Sequence, residues 1–448
     1  MDADAAIAGE SGTSPNRPPP AAAGVPGGIP RRADRSAIRR NNLEVVARHL
    51  AMAGRASRAD IATATGLTNS TVARLVTELQ TLGLVRDVGT APARGAGRPG
   101  AWVELDGSGL LVVGCEVNVH RMVVRVCDLG GRLRARIVRH VDASAMSPAA
   151  ATRHLGGLCR QAIEQAMSAG PVNGLAPGPS VVTVVAGVPG TVDGSTQTVI
   201  TAPNLHWANY PLAAALGDTL NLAGVPVTIG NDANFAALAE FWCGQHAGTD
   251  DLVYVTGDVG IGGGLIVGGR LLASANGQAG EVGHMTLDPG GPPCACGRRG
   301  CWESYVGLAV LRDAIAPRDP KVSPAAFIGS VARLAGADDP AALAALSSVG
   351  TWLGLGLSNL INLLGTQRVI LGGYFADLSA WILPAAHASL AAHVFISQPI
   401  EPLVATSTLG PDAAATGAAL YAIDKLISNP TLLTAPAGLR AGPESCTW

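Results

Sequence analysis

The chain has 448 residues, a formal net charge of −2 and 48% hydrophobic residues. That length and apolar content exclude a disordered chain or a disulfide-stapled miniprotein and leave room for two or three domains with ample core. Eight cysteines are present. Cys115, Cys127, Cys159 and Cys243 are scattered and Cys446 stands near the end, so the pattern favours a reducing compartment over a disulfide framework. The opening Met1-Asp2-Ala3-Asp4 lacks the basic and apolar regions of a signal peptide. The apolar stretch from Trp352 to Leu364 is broken by Ser358, Asn359 and Asn362 and is too short to span a bilayer. A cytoplasmic protein without a membrane partner is expected.

Residues 1–30 are rich in Ala, Gly, Pro and Ser and read as a disordered segment. From Arg31 to Gly100 twelve arginines face Asp34, Glu44, Asp60, Glu78 and Asp87, a net charge of about +7 on a short segment. A basic front end on an acidic body points to nucleic acid at the front. There, Ile38, Leu43, Val45, Val46 and Leu50 give an apolar helix face. Ser57 caps a second short helix that stops at Gly66. A third helix runs from the Thr68 turn to about Gln80, with Val72, Leu75, Val76 and Leu79 inward. Two short helices joined by a glycine turn describe a helix-turn-helix, with a wing from Gly83–Arg86 and Trp102–Leu105. Arg58, Thr68, Asn69, Ser70, Thr71 and Arg74 are the candidate contacts to double-stranded DNA. A helical packing module that binds no DNA is the alternative, and the arginine excess counts against it. Between the wing strands, Arg94 and Arg98 sit in a Gly-Arg-Pro segment that can enter a minor groove or simply form a wing tip. Residues 31–107 are read as this winged helix-turn-helix domain.

Beyond Gly109 the pattern turns to α/β layering. Apolar β-branched runs at 110–117, 122–127, 181–188, 225–229, 252–256 and 369–371 alternate with helical stretches, and several open into Gly or Asn/Asp loops. One such loop, Asn231-Asp232-Ala233-Asn234, supports two readings. Its carboxylate can serve as a base or hydrogen-bond a sugar hydroxyl, or the segment can simply cap a helix. The Gly260–Gly264 run can cradle a phosphate or allow close packing, and the preceding Asp258 would repel a phosphate. His284 with Cys294, Cys296 and Cys301 is the strongest chemical signal. Thiolates and an imidazole, with glycines between the cysteines, meet the tetrahedral demand of a structural Zn2+. Glu281 and Glu303 flank the cluster.

These residues resemble the ROK family of bacterial repressors, open reading frames and sugar kinases. The likeness runs from Ser36 to Ile427 and is most specific in Glu281-Val282-Gly283-His284 and in Cys294 to Glu303, with support from Ala202–Trp207 and Asn231–Asn234. It implies a two-lobed actin-like sugar-kinase fold over residues 108–428, with lobes of roughly 108–228 plus the last helix and 229–410, and a tail at 429–448. It also implies a sugar against Asn204, Asn231, Asp232, Glu281, His284 and Glu303, zinc on His284, Cys294, Cys296 and Cys301, and the family's general base at Asp232. Within the family, a winged helix in front marks sugar-responsive transcription regulators. Both phosphate loops depart from the kinase pattern. Where kinases carry Asp-x-Gly-Gly-Thr this chain reads Glu116-Val117-Asn118-Val119-His120, and where they carry Gly-Thr-Gly it reads Asp258-Val259-Gly260. The expectation is a non-enzymatic repressor of carbohydrate metabolism, with Asp232 vestigial, acting on an operator as a homodimer or homotetramer. The rival is an active ATP-dependent sugar kinase carrying a DNA-binding domain.

Overall fold

The computed structural model describes residues 35–90, 101–106, 109–168, 180–274, 277–315, 322–395 and 403–433. The expectations for residues 1–30, for Arg94 and Arg98, and for Cys446 lie outside them. The chain divides into two units, residues 1–39 and 40–448.

Helix α1 (Arg35–Ala53) buries Leu43, Val46, Ala47 and Leu50. Strand β1 (Arg55–Ser57) leads into α2 (Arg58–Thr65), and α3 (Asn69–Thr81) follows the turn. Ser57 closes a capping box with Asp60, and Gly66, at φ 71°, ends α2 in the left-handed conformation that glycine adopts without strain. Thr68 caps α3, accepting from Thr71 N. The wing strands β2 (Val85–Thr90) and β3 (Ala101–Leu105) pair as expected. Strand β1 joins β3 on its other edge, an addition that three residues of sequence did not signal.

Two five-stranded sheets follow. The first contains β4 (Leu110–Val117), β5 (Arg121–Asp128), β6 (Leu133–His140), β7 (Ser180–Val188) and, after the small sheet β8 (Thr191–Asp193), β9 (Thr198–Ala202), β10 (Trp207–Tyr210), strand β11 (Val227–Asn231). Helices α4 (Pro148–Ser168) and α5 (Leu212–Leu220) lie between these strands in the chain, and α6 (Asp232–Cys243) comes next. The second sheet contains β12 (Leu252–Gly257), β13 (Ile261–Val267), β14 (Arg270–Leu271), β15 (Arg368–Gly373) and β16 (Val404–Thr406). Its helices are α7 (Glu303–Val306), α8 (Leu308–Ile315), α9 (Pro324–Gly336), α10 (Pro340–Leu364), α11 (Tyr374–Asp377) and α12 (Ser379–His393); α13 (Ala413–Ser428) closes the chain's regular structure.

The strand orders are β6-β5-β4-β7-β11 and β14-β13-β12-β15-β16. Counted within each sheet, both read third, second, first, fourth, fifth. In each, an antiparallel hairpin is continued by parallel strands, so strand ends and their loops gather on one edge. Helices α6 and α13 pack on each other, and α13 also lies on β4.

Three expectations need correction. The Gly260–Gly264 run is largely strand, not loop. A Cβ on Gly264 would lie 2.5 Å from the Ala237 Cβ and 2.7 Å from the Ala233 oxygen, and one on Gly262 would lie 3.0 Å from the Ala233 Cβ. These two glycines let β13 approach α6, as the packing reading requires. The 352–364 stretch is only the end of the 25-residue α10, which is long and apolar enough by composition to cross a membrane. Half of its most apolar window is buried, and Leu346, Val349, Leu353, Leu357 and Ile361 fill the second lobe's core, each contributing about 1.5–3 kcal/mol. The tail does not begin at 429: Pro430–Leu432 form a 3-10 turn and Leu433 is buried in the core.

Candidate functional site

The loop that carries Cys294, Cys296 and Cys301 is shaped by its glycines and by one tryptophan. Gly297 and Gly300 adopt φ of 85° and 67°, and a side chain at Gly300 would overlap the Asp288 carbonyl. Cys294 N donates to Arg298 O at 2.8 Å, and Gly297 N donates to Cys294 O at 3.0 Å, which turns the loop back on itself. Bridges Thr286↔Cys301 and Pro293↔Arg299 close its ends. Trp302 is fully buried and donates its indole N–H to Trp352 O at 2.9 Å, so the loop's exit is anchored in α10.

His284, Cys294, Cys296 and Cys301 offer ligand atoms that all lie within 4.8 Å of one another. Cys294 Sγ is 3.8 Å from His284 Nδ1, and Cys296 Sγ is 3.6 Å from Cys301 Sγ. Thiolates at Zn–S bonds of about 2.3 Å stand roughly 3.8 Å apart along a tetrahedron's edge. The donor set and its spacing therefore fit a tetrahedral metal ion.

A cavity of 100 Å3 adjoins this loop, and its lining brings together Asn204, Asn231, Asp232, Glu281, His284 and Glu303, all six residues expected around a sugar. Their polar atoms are held from several elements. Glu303 Oε2 accepts from Ile261 N at 2.9 Å. Glu281 Oε1 accepts from Thr191 Oγ1 at 3.3 Å. Asn231 caps α6, accepting from Asn234 N at 3.0 Å and donating to Gly190 O at 3.1 Å. The cap reading thus falls on Asn231, and Asp232 is the first helical residue, with Oδ1 accepting from Ala233 N at 2.9 Å. A Cβ at Gly260 would lie 2.5 Å from Glu303 Oε2 and 2.9 Å from Asn204 Nδ2. That glycine makes room for two of the polar side chains.

On the far side of Asp232 lies a larger cavity of 1010 Å3. Glu116, at the end of β4, is 1% exposed, and its Oε1 accepts from Asn118 Nδ2 at 3.0 Å and lies 3.4 Å from Arg121 Nη2. Arg121 Nη1 reaches Asp258 Oδ2 at 3.1 Å. Arg121, on β5, therefore joins Glu116 at the end of β4 to Asp258 just after β12. Burial opposes the Arg121 charge, but the Glu116 and Asp258 carboxylates outweigh it and hold it protonated. Burial pushes Glu116 up from the usual carboxylate range and lowers His120. Asp232 is pushed up to about 7, chiefly by burial and then by the charge of Glu116. In all, Glu116, Asp142, Asp232, Asp258 and Asp377 line this cavity against Arg121 and Arg312.

Arg121 was not singled out from the sequence. Its signal was available, since an acid at the end of an apolar strand requires a counter-charge and Arg121 stands five residues on, across the hairpin turn.

In the helix-turn-helix, Thr68, Asn69, Ser70 and Arg74 are exposed along the start of α3, and Thr71 is half-buried. Thr68 Oγ1 is engaged with Thr71 and Ser70. Arg58 pairs with Asp87 at 3.1 Å, so part of its charge serves the wing.

A model of the ROK family matches residues 159–425, more than half of the chain. The chain belongs to the ROK family. A model of the IclR helix-turn-helix domain matches residues 47–89, in front of it. The xylose repressor of Bacillus subtilis is 29% identical over 400 residues, covering 89% of this chain and 99% of the repressor. A crystal structure of a ROK family transcriptional regulator, homologous to the E. coli MLC protein, matches with a TM-score of 0.72 over 88% of this chain and 98% of its own. At 22% identity that likeness is one of fold. A ROK family glucokinase from Streptomyces griseus, solved with glucose and AMPPNP, matches with a TM-score of 0.56 and 28% identity over 69% of this chain and 98% of its own. This ROK protein thus carries an N-terminal helix-turn-helix ahead of a sugar-kinase-like domain.

Proposed function

We propose that this ROK protein is a DNA-binding repressor whose operator affinity is set by a sugar held between Asp232 and the metal loop. The observation that carries the reading is the contrast around Asp232. The six sugar-side groups converge on one small cavity, while Glu116 and Arg121 line only the larger one, and Asp258, bonded to Arg121, stands where the two meet. The likeness to a xylose repressor along nearly its full length supports a repressor over a kinase, and makes D-xylose the first sugar to test.

Each residue has a physical task in this reading. Asn204, Asn231, Asp232, Glu281 and Glu303 supply acceptors and donors for sugar hydroxyls, and a site built to hydrogen-bond hydroxyls rejects ligands that lack them. Zn2+ on His284, Cys294, Cys296 and Cys301 supplies a structural brace. Four protein ligands leave no open position for an activated water. His284 Nδ1 is the ring nitrogen facing Cys294, so Nε2 is the atom left for a sugar hydroxyl. Asp232 keeps the place of a base, but phosphoryl transfer depends on positioning and neutralising the transferred phosphate. A nucleotide's phosphates would meet a wall with five carboxylates and two guanidiniums. We therefore read the protein as catalytically inactive, with Asp232 serving recognition.

On the DNA side, Thr68, Asn69, Ser70, Thr71 and Arg74 meet the major groove, Arg58, Arg94 and Arg98 add backbone or minor-groove contacts, and a homodimer or homotetramer in the cytoplasm pairs two such domains on one operator. Sugar changes the arrangement of the pair only if it binds one arrangement better than the other. Operator binding measured with a panel of aldoses tests this: at least one sugar changes the DNA affinity fivefold or more. Unchanged affinity with every sugar would sink the sensing claim.

A further inference from the structure

The cores of the helix-turn-helix and of the first lobe are not separate. Leu43, Val46 and Leu50 of α1 belong to the same continuous buried cluster as Ile423, Leu426 and Ile427 of α13. One polar contact reinforces that junction. Arg48, on α1 between those apolar positions, places Nη1 3.0 Å from Asp424 Oδ1 and Nη2 2.5 Å from Ser428 Oγ, both on the last turns of α13. Its Nε is held by Glu44 of its own helix at 2.9 Å, which fixes the guanidinium's orientation. One arginine thus grips two positions a helical turn apart with a preset fork.

The other end of this contact leads back to the cavity. Helix α6 begins at Asp232, and one turn later Phe235 packs against Tyr421 of α13, ring centroids 5.4 Å apart. The two helices cross so closely there that a side chain at Gly417 would overlap the Phe235 carbonyl. A crossing this tight has no slack: displacement of α6 along or about its axis must move α13. Tyr421 and Asp424 are three apart on α13, and so lie on adjoining turns of one face. Sugar-side cavity, α6, α13 and helix α1 of the helix-turn-helix domain are therefore in unbroken mechanical contact.

We infer that Arg48 is a positioning residue, which through Asp424 and Ser428 ties α1, the first helix of the helix-turn-helix domain, to the helix pair that starts at the sugar-side cavity and so converts occupancy of that cavity into a change in operator affinity. The inference rests on the sugar-sensing reading above. It assigns to Arg48 a role different from the arginines of the recognition helix and wing, since Arg48 acts on the coupling between sites and not on DNA directly.

The test is a double-mutant cycle in the full-length zinc-loaded protein, with Arg48→Ala, Asp424→Ala and the pair together. The readout is the ratio of operator Kd with and without a saturating sugar that binds the wild type, alongside sugar affinity by calorimetry and folding by circular dichroism. Each single variant lowers the ratio at least threefold, the double variant lowers it no further, and Arg48→Lys retains part of it. Sugar affinity and fold stay at the wild-type level. A direct DNA contact by Arg48 predicts instead that DNA affinity falls equally with and without sugar, leaving the ratio intact; that result, or additive losses in the double variant, overturns the proposal. If a variant fails to fold, Ser428→Ala, which removes a single hydroxyl, gives the same reading at smaller amplitude, and an unchanged ratio there counts against the proposal. A wild-type ratio of one with every sugar overturns the sensing reading and the inference with it, whereas a responsive wild type with equally responsive variants overturns the inference alone.

Discussion

The two cavities that meet at Asp232 are built by sheets of the same strand order, yet their linings differ. On the metal-loop side, three asparagines, two glutamates and a histidine stand with Asp232 and Asp258 beside a loop with tetrahedral ligand spacing. On the other side, carboxylates outnumber cations, and the buried Glu116 is answered by Arg121, which also spans to Asp258. The lesson is about charge. In the proposed reading a neutral sugar asks for hydrogen bonds, which the amides and acids of the small cavity would supply. A nucleotide is a polyanion and asks for backbone N–H groups and cations, and in the proposed reading Glu116 and Asp258 set acids there instead. Arg121 does not restore a phosphate site, because its guanidinium is already engaged by two acids.

The sharpest way to break this comparison is at Arg121. Arg121→Met leaves Glu116 buried without a counter-charge, and should cost about 3 kcal/mol of unfolding free energy at pH 7. Because Glu116 can then take up a proton, the loss should shrink as the pH falls below the raised value of its carboxyl. Urea unfolding at several pH values checks both points; a loss below about 1 kcal/mol would show that the bridge is incidental.

Next comes the metal loop. Chelation, or Cys301→Ser, should remove the brace on Glu281 and Glu303 and weaken sugar binding by about tenfold or more, as loss of supporting shells around ordered sites does. Calorimetry on samples of measured metal content decides it, and an affinity that survives confirmed metal loss would separate zinc from recognition. Arg121→Met and metal loss together sharpen the comparison, since the first should spare sugar affinity and the second should not.

Much of this arrangement was legible in the sequence, and what was not has physical reasons. The His/Cys cluster that could hold a metal was legible because four soft or borderline donors fall within eighteen positions. Ser57 and Gly66 marked the ends of α2 because caps are local chemistry. The Gly260–Gly264 run could not be placed, because a glycine needed for a helix to pass looks the same in sequence as one needed for a phosphate. The short strands β8, β9 and β10 lacked the length for a periodicity to emerge. Arg121 was overlooked although Glu116 stands five residues before it; its second partner, Asp258, lies beside the other sheet, and that pairing is a property of the fold.

A pH-dependent effect belongs to Asp232. Its folded value of about 7 stands above the ordinary 3.8, so the folded protein holds a proton that the unfolded chain releases. The sign follows: this group's stabilisation is complete below about pH 4, declines as pH rises toward 7 and is gone above it. Asp232→Asn should flatten that part of the stability profile. A variant whose pH profile parallels the wild type would show that burial and Glu116 do not govern this carboxyl.

The most direct test of the central claim is ATP turnover in the presence of a sugar that the protein binds. The account predicts none above background, with Asp232→Asn indistinguishable from wild type in this assay. Steady turnover that Asp232→Asn abolishes would contradict it, and would make this protein a sugar kinase that also carries a DNA-binding domain.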